Sequence, residues 1–237
     1  MYRLGLLACD FVPDDLRDRF EDYPIMFGAA IESAHVEVEW EIYQVYDGQL
    51  PEFNGECDGY ITTGSRSGAY NQDAWIAQLE QFIRDLVGSQ RPLVGVCFGH
   101  QMIAQALGGQ VEKSSKGWGI GVQHHTIGSG VNPAWMDPSL PQFTIPVCHQ
   151  DQVMSLPGGA RLLASNPHCE NFMIQFNESM LGLQGHPEFD PSYIEVLLEL
   201  RKEIITGTVR EDAVRSLNRN HDNSHIMKWI ANFLGIT

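Results

Sequence analysis

Pro92-Leu93-Val94-Gly95-Val96-Cys97-Phe98-Gly99-His100-Gln101 decides how the rest of the chain reads. An apolar run fit for a buried strand breaks into Gly-x-Cys-x-Gly, and the helix-forming residues Met102 to Leu107 follow. Glycines two positions to either side of the cysteine allow a sharp strand-to-helix turn without Cβ clashes. This is the layout of a nucleophile elbow, with cysteine where serine hydrolases carry serine. Such a turn sets Cys97 at the top of a sheet, aimed into a cleft. It also sets the sulfur beside the first turn of a helix, whose positive end favours thiolate over thiol. A buried core cysteine between turn glycines is the competing reading, because short Gly-x-Cys-x-Gly strings also arise by chance.

A thiol nucleophile needs a base, and one of the nine histidines stands out, in Leu181-Gly182-Leu183-Gln184-Gly185-His186-Pro187-Glu188. The residue before a proline is pushed towards an extended conformation. Positions two apart in an extended chain point to the same side. His186 and Glu188 are therefore predicted to project together from the end of an apolar strand. The carboxylate can then orient the imidazole and stabilise its charged form, as the third member of a triad does. Alone, His-Pro-Glu is more often a surface turn; its weight comes from the elbow upstream.

Outward from the elbow, the first half alternates strands with helices. Tyr2 to Ala8 reads as a buried strand, and Asp14 to Ser33 as an irregular helix interrupted at Pro24 and Gly28. Val36, Val38, Trp40 and Ile42 alternate with glutamates, the pattern of a strand with one wet face. Gly59 to Thr63 is a short strand. Trp75, Ile76, Leu79, Phe82, Ile83, Leu86 and Val87 fall at helical spacing, with Asp73 placed to cap the start. This alternation predicts an α/β fold, a mostly parallel central sheet flanked by helices, with ligands bound beyond the carboxyl ends of the strands. From Val111 to Leu183 short strands separated by Gly, Pro and Asn turns predict a small antiparallel β excursion. A helix is expected from Pro191 through Ile205, and a last one from Ile226 to Leu234. No repeat, linker or low-complexity tract interrupts residues 1–237, so one domain is expected.

The chain carries 30 acidic against 15 basic side chains, a formal charge of −15. Nucleic-acid sites need clustered Lys and Arg, so phosphate-backbone binding is not expected. No run approaches the ~20 apolar residues needed to cross a bilayer, so no membrane partner is expected. Cys9, Cys57, Cys97, Cys148 and Cys169 are odd in number and scattered, which fits neither a disulfide framework nor a zinc site. A reducing cytoplasmic setting suits free thiols. His124 and His125, adjacent on a strand, face opposite ways and suit no shared metal. Gly117 to Gly121 sits among strand signals and makes a poor phosphate cradle.

Val94 to Gln101 taken with Gln184 to Glu188 resembles the class I, triad-type glutamine amidotransferase family, above all the amidotransferase domain of GMP synthase and its free-standing relatives. The resemblance runs from Tyr2 to the helix after Pro191. Tyr60 to Tyr70 stands where the family has a strand and a glycine-rich oxyanion loop. Cys148-His149-Gln150-Asp151-Gln152-Val153 resembles the His-x-Asp-x-Val segment beside bound glutamine. The chain departs from the commoner pattern at Gly64-Ser65, where many members have Gly-Gly, and at Gln150, where a glycine is common. Free-standing γ-glutamyl peptidases of the family look similar at both places.

The resemblance implies a flavodoxin-like fold and a triad of Cys97, His186 and Glu188. It implies an oxyanion hole at Phe98, Ser65 and Gly64, and a glutamate end held by Gln101, His149, Gln150 and Asp151. It implies hydrolysis of a γ-glutamyl amide such as glutamine through a thioester, without metal or cofactor. Ammonia would then pass to a synthetase on a separate subunit, since no Gly-rich loop ending in Lys-Ser or Lys-Thr is present. Hydrolysis of a γ-glutamyl peptide or conjugate is the alternative. A non-catalytic regulatory or binding relative is the alternative of another class.

Overall fold

The computed structural model describes residues 1–236. The apolar runs of the first half form β1 (Tyr2–Ala8), β2 (Val38–Gln44), β3 (Gly59–Thr62) and β4 (Leu93–Val96). The second half adds β5 (Gln110–Lys113), β6 (Gly119–Ile127), β7 (Gln142–His149), β8 (Asp151–Ser155), β9 (Arg161–Ser165), β10 (Met173–Asn177) and β11 (Met180–Leu183). Nine of these strands make one sheet in the order β2-β1-β3-β4-β11-β10-β9-β6-β7. Pairing is parallel from β2 to β11 and antiparallel beyond it. The predicted antiparallel excursion therefore continues the main sheet, and only β5 and β8 pair apart from it, as a two-stranded ribbon.

β3 and β4 are buried along their whole length, as expected for strands covered on both faces. On one face, Leu4, Leu6, Val94 and Val96 pack with α2 (Tyr23–Glu32) and α7 (Asn223–Leu234). On the other lie α3 (Ala74–Leu86) and α4 (Phe98–Ala106). The α3 stripe buries Ile76, Leu79, Phe82, Ile83 and Leu86. Each such side chain contributes roughly 1.5–3 kcal/mol, far more than differences in helix propensity. A third cluster joins α5 (Pro191–Leu200) and α6 (Gly207–Ser216) to Val12, Ile120 and Phe189.

Local chemistry moves several predicted boundaries. The helix expected over Asp14 to Ser33 is two, α1 (Asp14–Phe20) and α2, broken at Glu21 with φ 63°. Asp22 accepts a hydrogen bond from the Tyr23 N–H at the start of α2, and Pro24 sits in its first turn, where a missing N–H costs nothing. Asp73 precedes α3, but its side chain makes no capping hydrogen bond. In β2 the alternation slips at its end: Ile42 is exposed and Tyr43 is buried. The helix from Pro191 stops at Leu200, short of Ile205, and Ile204 lies exposed. α6 was not predicted, because it buries only Ala213 and Ser216 and has no apolar stripe to read. Among the described residues no helix is long and apolar enough to cross a membrane.

Candidate active site

β4 ends at Val96, and Cys97 follows at φ 50°, ψ −99°, before α4 begins at Phe98. That conformation costs a residue with a Cβ about 1–3 kcal/mol, so its surroundings must hold it. The Cys97 N–H donates to the Leu183 carbonyl of β11 at 2.8 Å, and its own carbonyl accepts from the Gln101 N–H at 3.2 Å. Backbone contact explains the glycine spacing: a Cβ on Gly95 would lie 2.5 Å from the Gly99 carbonyl carbon and 2.6 Å from the His100 nitrogen. Strand and helix touch there, and neither backbone can yield.

β11 lies beside β4 in parallel register and delivers Gln184 to Glu188 to the same end of the sheet. The His186 N–H donates to the Pro146 carbonyl at 2.9 Å, and Nδ1 lies 2.7 Å from Glu188 Oε1. The imidazole stacks on Phe189 at 4.1 Å between centroids and 5° between planes. Both members of the pair are buried. Burial pulls the imidazole down, but the Glu188 carboxylate and the adjacent Cys97 sulfur outweigh it and push His186 up to about 10. A Cβ on Gly64 would come within 2.9 Å of His186 Cε1 and 3.6 Å of Cys97 Cβ. The loop after β3 thus closes directly over the sulfur and the imidazole, and only glycine fits.

That loop is tied down from below. Thr63 Oγ1 accepts from the Cys9 N–H at 2.9 Å and donates to the Gly64 carbonyl at 2.9 Å. The buried Asp10 carboxylate accepts from the Arg66 N–H at 2.8 Å, from Nε at 2.9 Å and from the guanidinium Nη2 at 2.6 Å. Ser65 lies between these anchors. Its Oγ accepts from the Ser67 N–H at 3.1 Å. Phe98, the first residue of α4, carries one of the N–H groups a helix leaves without an internal partner. Its ring is buried beside Trp75.

A cleft of about 510 Å³ opens over Cys97, within the usual range for small-molecule sites. Ser65, Gln101, His149, Gln150 and Asp151 line it, together with Tyr70, Lys113, Trp118 and Arg201. Gln101 points its amide inward: Nε2 donates to the Asp151 carbonyl at 2.9 Å and to Gln184 Oε1 at 3.1 Å. Gln184 Nε2 in turn lies 3.5 Å from Cys97 Sγ. His149 Nδ1 donates to the Asp151 carbonyl at 3.2 Å, and burial pulls its imidazole down to about 3. Of the paired histidines on β6, His124 is exposed while His125 is buried with its ring on Phe172. No group of three or more His, Cys, Asp or Glu suited to a metal occurs among the described residues.

Sequence reasoning left out four residues of the site. Gln184 directly follows β11, in the bend that leads to His186, and its place beside the His-Pro-Glu motif could have flagged it. Asp10 follows β1 in a loop with no local signature. Arg201 and Trp118 come from distant segments that only the fold brings together.

The family model for glutamine amidotransferase class-I matches residues 30–198. The chain is 30% identical over 218 residues to γ-glutamyl peptidase 3 of Arabidopsis thaliana, covering 89% of this chain and 84% of that protein. It is 29% identical over 159 residues to the glutamine-hydrolyzing GMP synthase of Neisseria gonorrhoeae, covering 67% of this chain and 29% of that one. A crystal structure of a glutamine amidotransferase from Thermotoga maritima superposes with a TM-score of 0.76 at 19% identity, covering 98% of both chains, which shows the shared fold. With the model spanning the elbow, the loop after β3 and the His-Pro-Glu turn, the chain belongs to the class-I glutamine amidotransferase family.

Proposed function

We propose that this protein hydrolyses γ-glutamyl amide bonds through a thioester on Cys97. The supporting observation is the buried Glu188–His186 pair, 2.7 Å apart, set beside a cysteine at the floor of the cleft. His186 takes the thiol proton, or rests with it as an ion pair, and the sulfur attacks the δ-carbonyl carbon. The oxygen becomes an oxyanion, held by the N–H groups of Ser65 and Phe98; one such donor is worth about 3 kcal/mol of barrier. The C–N bond breaks as the imidazolium passes its proton to the departing nitrogen. Water then adds to the thioester as His186 takes a proton from it, the C–S bond breaks, and the thiol regains its hydrogen. Gln101, His149, Gln150 and Asp151 form the wall against which the glutamyl end lies. The five cysteines are unpaired, which suits a reducing, cytoplasmic compartment.

The amine released is larger than ammonia in the reading we favour. Trp118 and Arg201 line the same cleft as Cys97 and Gln101 and offer surface for a leaving amine. The relative called a γ-glutamyl peptidase is covered along 84% of its length, whereas the GMP synthase is covered along 29%. The second reading is glutamine hydrolysis with ammonia passed to a separate synthetase; the GMP synthase likeness favours it. Glutamate release from glutamine, a γ-glutamyl dipeptide and a γ-glutamyl anilide, with no partner present, separates them. Dipeptide turnover with little from glutamine is expected; turnover of glutamine alone contradicts the favoured reading. Cys97→Ser is expected to fold and to release no glutamate, and undiminished release would point to a non-catalytic scaffold with activity from elsewhere.

A further inference from the structure

Arg201 closes α5, and its guanidinium lies over the Trp118 ring, Cζ 5.6 Å from the centroid. Among the described residues no carboxylate comes within salt-bridge distance of it, whereas the other arginine of the cleft, Arg66, is held by Asp10. In a chain of net charge −15, a cation without an acid at the edge of a concave site is a local reversal of the field, the arrangement that draws in an anion. A guanidinium held over an indole keeps its N–H edge for a planar two-oxygen partner. Its charge reaches the site's interior, where it works against the burial that raises the Cys148 thiol.

Position says which end of the substrate it meets. Arg201 lines the large cleft and also a small cavity of about 40 Å³ that it shares with Cys97, His186 and Phe189. It therefore stands on the imidazole's side of the sulfur, the side from which the departing nitrogen receives its proton. Lys113, the remaining cation of the cleft, stands opposite Asp151 in the β5–β8 ladder, at the glutamyl end. We infer that Arg201, braced by Trp118, is a specificity residue that binds a carboxylate carried by the leaving amine, so that preferred substrates are γ-glutamyl amino acids or short peptides with a free carboxyl end.

This rests on the γ-glutamyl hydrolysis proposed above, and the test keeps the two apart. A γ-glutamyl dipeptide and its C-terminally amidated twin are compared by kcat/KM in the wild type and in Arg201→Gln. The wild type is expected to prefer the free acid by about tenfold, the scale of a charge-assisted hydrogen-bonded pair, and Arg201→Gln to erase that preference. Equal rates for the twins in the wild type overturn the role of Arg201 while leaving the hydrolysis in place. Equal losses on both twins in Arg201→Gln, with the preference intact, assign the residue to the glutamyl carboxylate or to the fold, and overturn the inference. No release from either twin by the wild type overturns the hydrolysis itself, and this inference with it. Should Arg201→Gln fail to fold, Arg201→Lys decides: retained charge with a partial preference supports the inference, and no preference contradicts it.

Discussion

The parallel and antiparallel halves of the sheet serve the site by different means. In the parallel half, β4 and β11 deliver Cys97, His186 and Glu188 to one end of the sheet, where Gly95 against the α4 backbone and Gly64 against the His186 ring leave no room for a Cβ. All three side chains are buried. The antiparallel half gives the cleft its outer wall at Trp118 and Gln150, which stay partly exposed. In the function proposed above, the reacting groups are thus held through the main chain, and part of the recognition is left to side chains of the outer wall.

The largest effect expected from breaking this division lies at the carboxylate. Glu188→Gln keeps the shape but removes the charge that orients and supports the imidazole, and glutamate release is expected to fall about 10³- to 10⁴-fold. A histidine raised in the folded state lends stability that is complete below its unfolded value of 6.5 and is lost as pH rises through about 10. In Glu188→Gln the His186 titration, followed by NMR on labelled histidine, is expected to move down from about 10, with the stability loss moving to lower pH. An unmoved titration would mean that Glu188 does not hold the imidazole.

Gly95→Ala comes next. Its Cβ meets backbone rather than a movable side chain, so a loss of about 3 kcal/mol or more in urea unfolding is expected. Gly158, in the turn between β8 and β9, has nothing within 4 Å of an added Cβ, and Gly158→Ala is expected to stay within about 0.5 kcal/mol. Similar losses at the two positions would erase the contrast between the halves.

A further effect, gradual in pH, touches both halves. Burial pulls His100 of α4 and His149 at the end of β7 down to about 3. The unfolded chain takes up protons near 6.5, so stability is present above that pH and is lost as pH falls towards 3. Each of the two is expected to cost about 1.4 kcal/mol per pH unit below about 6. Urea unfolding at pH 7 and at pH 5 measures the difference, and equal midpoints would contradict buried neutral rings.

The elbow was legible because it is local: glycine spacing fixes the strand-to-helix turn. His186 and Glu188 do pair, but not through the extended chain expected, since Pro187 and Glu188 lie in a turn closed by the Phe189 N–H on the His186 carbonyl at 3.3 Å. The α/β class was legible through alternating apolar runs and the α3 stripe, which are local too. The extent of the antiparallel half was not, since short strands between turns do not say whether they extend the main sheet or leave it. α6 escaped because two buried residues make no periodic signal. Asp10 and Arg201 escaped because their partners lie far along the chain, Asp10 against Arg66 and Arg201 against Trp118. No window of sequence contains those contacts.

The proposed covalent intermediate is the most direct point of attack. The protein is mixed rapidly with a γ-glutamyl dipeptide, quenched in acid, and digested for mass spectrometry. A glutamyl group on the peptide that carries Cys97, absent in Cys97→Ser, is the predicted result. Glutamate release with Cys97 never acylated, or an adduct on another cysteine, would contradict a thioester mechanism at the elbow.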